Sequence, residues 1–110
     1  LLLPDINRDR GHVLENIVYL ELRRRGYTVY VGQLTKGEID FVAQKRGGIL
    51  EYYQVSESVL DSTTRDRELA PLEAVKDQYP KFLLTMDELY KPHNYNGIQQ
   101  CNVLDWLLGM

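Results

Sequence analysis

The sequence predicts an α/β fold, a mixed β-sheet flanked by helices, on three observations. A long amphipathic helical stretch comes first and is followed by three β-rich runs, two of which form a hairpin. A second helical stretch then crosses to Lys81–Met86, a short and nearly all-apolar run of the kind buried on both faces of a sheet. A helix across a hairpin-containing sheet, followed by an α crossover into a buried strand, implies mixed strand directions and flanking helices.

Residues 4–11 are polar, broken by Pro4 and Gly11, and read as a loop. The first helix is expected from Asp9 or Arg10 to Arg25, with Val13, Leu14, Ile17, Val18, Leu20 and Leu22 forming its apolar stripe. Gly26 stops it, and Arg23, Arg24 and Arg25 in the last turn suit the negative end of the helix dipole. Glu15 lies at the edge of the stripe and Glu21 nearer its middle. Periodicity does not choose between them as functional carboxylate or arginine partner.

Tyr27–Val31 is β-branched and aromatic, a first strand, and Gly32–Gly37 is a turn. In Glu38–Ala43, strict alternation puts Ile39, Phe41 and Ala43 on one face and Glu38, Asp40 and Val42 on the other. Lys45-Arg46-Gly47-Gly48 turns the chain into a third strand, Ile49–Ser56. There Leu50, Tyr52, Gln54 and Ser56 share one face, and Glu51, Tyr53 and Val55 the other. Thr63-Thr64-Arg65-Asp66 fits a capped helix start, Pro71 kinks that helix or opens a second one, and the helical pattern runs on to Tyr79. Residues 87–97 read as a loop, Ile98–Val103 as a last strand at a sheet edge, and Val103–Leu108 as a terminal helix.

With 110 residues, 44% of them hydrophobic and 26% charged, the chain is one globular domain's worth of sequence. No run of about 18 apolar residues exists, so no membrane partner is expected. The single cysteine, Cys101, excludes an internal disulfide and suits a reducing, cytoplasmic setting. His12 and His93 have no partners at zinc-ligand spacing and read as surface or capping residues. A net charge of −3 provides no general attraction to nucleic acid, so such binding needs a local basic patch.

The hairpin carries the chemistry. An acid on one strand, then a turn, then two polar residues two places apart on the next strand, is the skeleton of a metal-dependent nuclease site. Mg²⁺ prefers oxygen ligands, and a lysine on the same strand face can position the attacking water. Here Asp40, Gln54 and Ser56 occupy the three positions.

Gly11-His12-Val13-Leu14-Glu15-Asn16, Glu38-Ile39-Asp40-Phe41 and Tyr53-Gln54-Val55-Ser56 together resemble the PD-(D/E)XK nuclease-like superfamily. More closely, they look like the domain at the C-terminus of many prokaryotic AAA-type ATPases. Arg67-Glu68-Leu69-Ala70-Pro71-Leu72, Tyr79-Pro80-Lys81, Asn96-Gly97-Ile98 and Asp105-Trp106-Leu107 extend the likeness to the whole chain from Gly11. The resemblance implies a restriction-endonuclease-like sheet over residues 11–110, with residues 1–10 a linker from a preceding ATPase region that alone would bind ATP. It implies that Glu15, Asp40 and Gln54 bind Mg²⁺, completed by the Val55 carbonyl, and that Asp40, Gln54 and Ser56 form a degenerate catalytic set. Gln54 removes a negative charge and Ser56 stands where lysine belongs, so weak Mg²⁺ binding and impaired catalysis are expected. The implied partners are the ATPase region and nucleic acid. One alternative is an active nuclease with a displaced cation, Arg65, Arg67 or Lys76. Another is a structural module that forms homo-oligomers, with Glu15 and Asp40 paired to arginines and Gln54 bonded to Ser56.

Overall fold

The computed structural model describes residues 6–34, 37–89 and 93–109. The first five residues of the expected 1–10 linker and the tip of the Gly32–Gly37 turn lie outside them. Helix α1 (Ile6–Arg24) leads to strands β1 (Thr28–Leu34), β2 (Gly37–Gln44) and β3 (Leu50–Val55). Helix α2 (Ser62–Ala74), β4 (Lys81–Thr85), β5 (His93–Tyr95), β6 (Ile98–Asn102) and α3 (Val103–Leu107) follow. One sheet holds the six strands in the order β1-β2-β3-β4-β6-β5. The β3–β4 and β4–β6 pairs are parallel and the others antiparallel, so the sheet is mixed, as expected.

Two cores lie on its faces. Leu14, Val18 and Leu22 of α1, with Val103 and Trp106 of α3, pack on Phe41, Ala43, Tyr53, Val55 and Leu84. Leu69 and Leu72 of α2 pack on Ile39, Tyr52, Leu83 and Ile98. Leu83 and Leu84 are adjacent in β4, face opposite cores and are both fully buried, which is why that strand reads as an unbroken apolar run.

Several elements differ from the sequence expectation. Helix α1 begins at Ile6 rather than Asp9, and residues 6–11 are helical rather than loop. A single interior glycine such as Gly11 weakens a helix by only about 1 kcal/mol. Of the apolar stripe, Leu14, Val18 and Leu22 are buried, while Val13, Ile17 and Leu20 face solvent. Helix α2 starts from an Asp61 cap, whose side chain accepts from the Thr63 N–H, and runs through Pro71 as one helix. It ends at Ala74 instead of Tyr79. Past that point the Asp77 carboxylate accepts from the Tyr79 N–H at 2.9 Å and from Lys81 Nζ at 3.1 Å. A local side chain thus offers the backbone an alternative to further helix.

Strand β6 is not an edge. Asn96 and Gly97 have positive φ, and Asn94 Oδ1 accepts from the Gly97 N–H at 2.8 Å, so a tight turn folds β5 onto β6 as the outer strand.

The helical ends are tied together by arginine. Arg25 Nη2 donates to the Trp106 carbonyl at 2.6 Å, and its guanidinium lies 4.4 Å from the centroid of that indole. Glu21 accepts from both Arg24 and Arg25 at 2.7 Å, and these bonds hold its carboxyl down at about 2. Glu21 is therefore the arginine partner of the two helix carboxylates considered. Arg25→Ala, which removes the α1–α3 clamp, is expected to cost about 1–3 kcal/mol in urea unfolding. Arg23→Ala, at an exposed position, should stay within about 0.5 kcal/mol of wild type.

Candidate functional site: the open end of the β2–β3 hairpin

Strand β2 carries an irregularity at Asp40. The β1–β2 register passes from Tyr30↔Val42 to Gly32↔Ile39, leaving Asp40 and Phe41 opposite Val31 alone. This extra residue is a β-bulge, and it changes the phase of the strand. Phe41 and Ala43 face the α1 side, but Ile39 faces the α2 side, so the expected single face for Ile39, Phe41 and Ala43 is corrected. On β3 the expected alternation holds for Leu50 and Tyr52 on one face and Tyr53 and Val55 on the other.

The β2–β3 ladder runs from Gln44↔Leu50 to Phe41↔Tyr53 and stops there. Beyond it, side chains take over the pairing. The Asp40 N–H donates to Gln54 Oε1 at 2.7 Å, and the Val55 N–H donates to Asp40 Oδ2 at 2.8 Å. Gln54 Nε2 donates onward to the Glu68 carbonyl of α2 at 3.1 Å and approaches Glu68 Oε2 at 3.4 Å. In that turn of α2, Pro71 has no N–H to give the Arg67 carbonyl. Buried Gln54 is thus a three-way link between β2, β3 and α2.

The structure places two of the four predicted positions on the wall of one open cleft of about 590 Å³, which includes His12, Glu15, Val55, Ser56, Thr64, Arg67 and Glu68. Glu15 and Ser56 line it directly, and Asp40 is linked to it by its bond to the lining residue Val55. Gln54 is buried beneath and makes the bonds just described. Ser56 does not pair with Gln54; its hydroxyl donates to the Ser58 carbonyl at 3.1 Å. Nor, among the described residues, does an arginine pair with Asp40 or Glu15. Buried Asp87 secures this wall, accepting from Ser58 Oγ at 2.6 Å and from the Val59 N–H at 2.9 Å.

Glu68 is the site residue that sequence reasoning missed. It appears in the quoted Arg67–Leu72 motif, but nothing local marks its approach to Asp40. Of the candidate cations, only Arg67 lines the cleft. The Arg65 guanidinium lies 6.0 Å from the Tyr95 ring centroid, and Lys76 lines a different cleft with Asp77 and Lys81.

Electrostatically the cleft concentrates negative charge. Burial pushes Asp40 up to about 7; the Val55 N–H opposes the rise, and Glu15, Glu68 and Glu38 add to it. Burial likewise raises Glu68, with Arg67 pulling down and Glu15 pushing up. The fit to a divalent ion can be judged from the donors. Gln54 Oε1 and Asp40 Oδ2 each already accept a backbone N–H. Among the described residues, no three His, Cys, Asp or Glu side chains form a group that could hold a metal ion. Each of these two oxygens keeps a further lone pair, the implied set of Glu15, Asp40, the Gln54 amide and the Val55 carbonyl includes donors of other kinds, and no step through a metal follows from these contacts.

Among known proteins, the chain is similar to one from Haemophilus influenzae described as an uncharacterized protein. The two are 45% identical over 95 residues, covering 86% of this chain and 22% of that protein. The chain thus spans about a fifth of the length of the curated relative it matches. No family model and no solved structure matches it. No described helix is long and apolar enough to cross a membrane.

Two outcomes follow. A carboxyl whose folded pKa is raised from 3.8 to about 7 contributes stability below the lower value and loses it as pH rises through the upper one. Asp40→Asn keeps an acceptor for the Val55 N–H but removes the charge. It is expected to melt about 4 °C or more above wild type at pH 8, with the difference vanishing near pH 4. Gln54→Glu replaces the donor to Glu68 with an acceptor, and should lower stability by about 1–3 kcal/mol at pH 8 in urea titration.

Proposed function

We propose that the chain is a catalytically impaired, PD-(D/E)XK-like accessory domain that works as one segment of a longer cytoplasmic AAA-type ATPase. The observation that carries the impairment is the engagement of Asp40 and Gln54. Both polar groups that the resemblance assigns to metal binding hold the β2–β3–α2 junction together. Ser56 adds no positive charge, and its hydroxyl is bonded within its own loop. The open hairpin end, the bulge at Asp40 and the nearness of Glu15 support the nuclease-like ancestry. The match to about a fifth of a much longer relative supports a role as one segment among several.

A second reading rests on Arg67. Its place on the cleft wall with Glu15, Ser56 and Glu68 is where a displaced cation would stand in an active nuclease. Incubation of plasmid DNA and single-stranded RNA with the protein in Mg²⁺ or Mn²⁺ decides between the two. Impairment predicts no metal-dependent cleavage above background. Cleavage abolished by Asp40→Ala would overturn it, and further loss on Arg67→Ala would establish the second reading.

A further inference from the structure

Five of the thirteen Lys and Arg residues of the chain lie at the end of the hairpin opposite the cleft. Arg23, Arg24 and Arg25 close α1, and Lys45 and Arg46 form the β2–β3 turn. The two groups meet: a Cβ placed on Gly26 would lie 4.0 Å from Lys45 Cε, and Lys45 Nζ sits 5.6 Å from the Tyr27 ring centroid. Two acids temper these cations. Glu21 is shared between Arg24 and Arg25, and Glu51 accepts from the Tyr27 hydroxyl at 2.8 Å. The tip is therefore strongly positive in a chain whose net charge is −3.

The helix dipole accounts for arginines at the end of α1. It does not account for Arg46. The Gly48 N–H donates to the Lys45 carbonyl at 2.8 Å, and Arg46 and Gly47 have φ of 49° and 72°, which makes a type I′ turn. Asn, Asp or Gly occupies the first central position of such a turn with less strain than arginine. A bulky cation is held there against backbone preference, and it is exposed. Arg23, Lys45 and the side chain of Arg24, 71% accessible, are exposed as well.

We propose that this tip is a docking surface for the phosphate backbone of nucleic acid. Guanidinium groups match phosphate oxygens in pairs, and three of the four exposed cations are arginines. The tyrosines at the tip lie under cations, with hydroxyls bonded to Arg23 and Glu51, so recognition runs through charge rather than stacked bases. The cleft with Glu15, Asp40 and Glu68 repels a polyanion, so the surface stands apart from the proposed function and does not need it.

The test is fluorescence anisotropy of a labelled 20-base-pair duplex with the whole chain, between about 50 and 200 mM salt. Wild type is expected to bind with a log–log salt slope of about −2 to −4, one step for each phosphate-contacting cation. Arg23→Ala/Lys45→Ala/Arg46→Gly should weaken binding at least tenfold at the lower salt and flatten the slope. Arg65→Ala, at a residue lying against Tyr95 of the outer strand β5, should leave both unchanged. Arg46→Gly alone should weaken binding while raising the melting temperature, since glycine relieves the positive φ; this separates lost contact from lost fold. Absence of wild-type binding, equal binding by the triple variant, or binding to anionic phospholipid vesicles without binding to duplex would each overturn the proposal. None of these outcomes depends on cleavage, so failure here is distinct from failure of the cleft reading.

Discussion

Past Phe41 and Tyr53, two strands that should continue as an antiparallel ladder are joined by side chains instead. Asp40 gives its N–H to Gln54 and takes the N–H of Val55, so two backbone donors that a ladder would pair are paired by a carboxamide and a carboxylate. The bulge opposite Val31 makes this geometry available, because the extra residue turns Asp40 out of the regular alternation. Much else follows from that exchange. The hairpin opens at this end, Gln54 is free to reach the Glu68 carbonyl of α2, and a cleft forms between α1, α2 and the end of β3. Were the ladder continuous, Gln54 would be one more buried polar group in need of a partner.

The exchange also leaves the junction short of positive charge. Asp40 is drawn into the interior with Glu15 and Glu68 nearby, and the Val55 N–H compensates it. In a working metal site the ion would supply the missing charge. Here neutral Gln54 lowers the acidity of the cluster and donates to Glu68, which makes the arrangement tolerable without an ion. Neutral Gln54 therefore leaves the junction less dependent on a cation, and Ser56 adds no charge to balance Asp40 and its neighbours.

The α/β class, the mixed sheet and the buried β4 were legible because they rest on periodicity and on a short apolar run. Asp40 and Gln54 were legible as members of one site through the acid–turn–polar pattern of the hairpin and the resemblance it carries. What was not legible depends on longer-range or irregular features. A bulge leaves no mark in the sequence of β2, so simple alternation puts Ile39 on the wrong face. Glu68 meets Gln54 only because α2 crosses the end of the sheet, which no local pattern encodes. The β5–β6 hairpin does carry a signal, Asn96-Gly97, but its first strand is only three residues long and lies in a stretch whose composition is that of a loop. Asp77 ended α2 early through side-chain bonds that helical periodicity does not register.

The distribution of charge connects the two ends of the hairpin. Each strand carries the chain between them in four or five residues, about 15 Å. At one end carboxylates collect around a junction that needs them for its hydrogen bonds. At the other, cations collect around a turn whose backbone would favour a smaller residue than Arg46. Net charge conceals both, because the acids and bases nearly cancel over the whole chain. A binding surface on an acidic protein has to be local, and within the described residues the hairpin tip meets that requirement through two separate segments, the end of α1 and the turn after β2. Stability alone explains the first. The second, an arginine at positive φ, is the part that stability opposes.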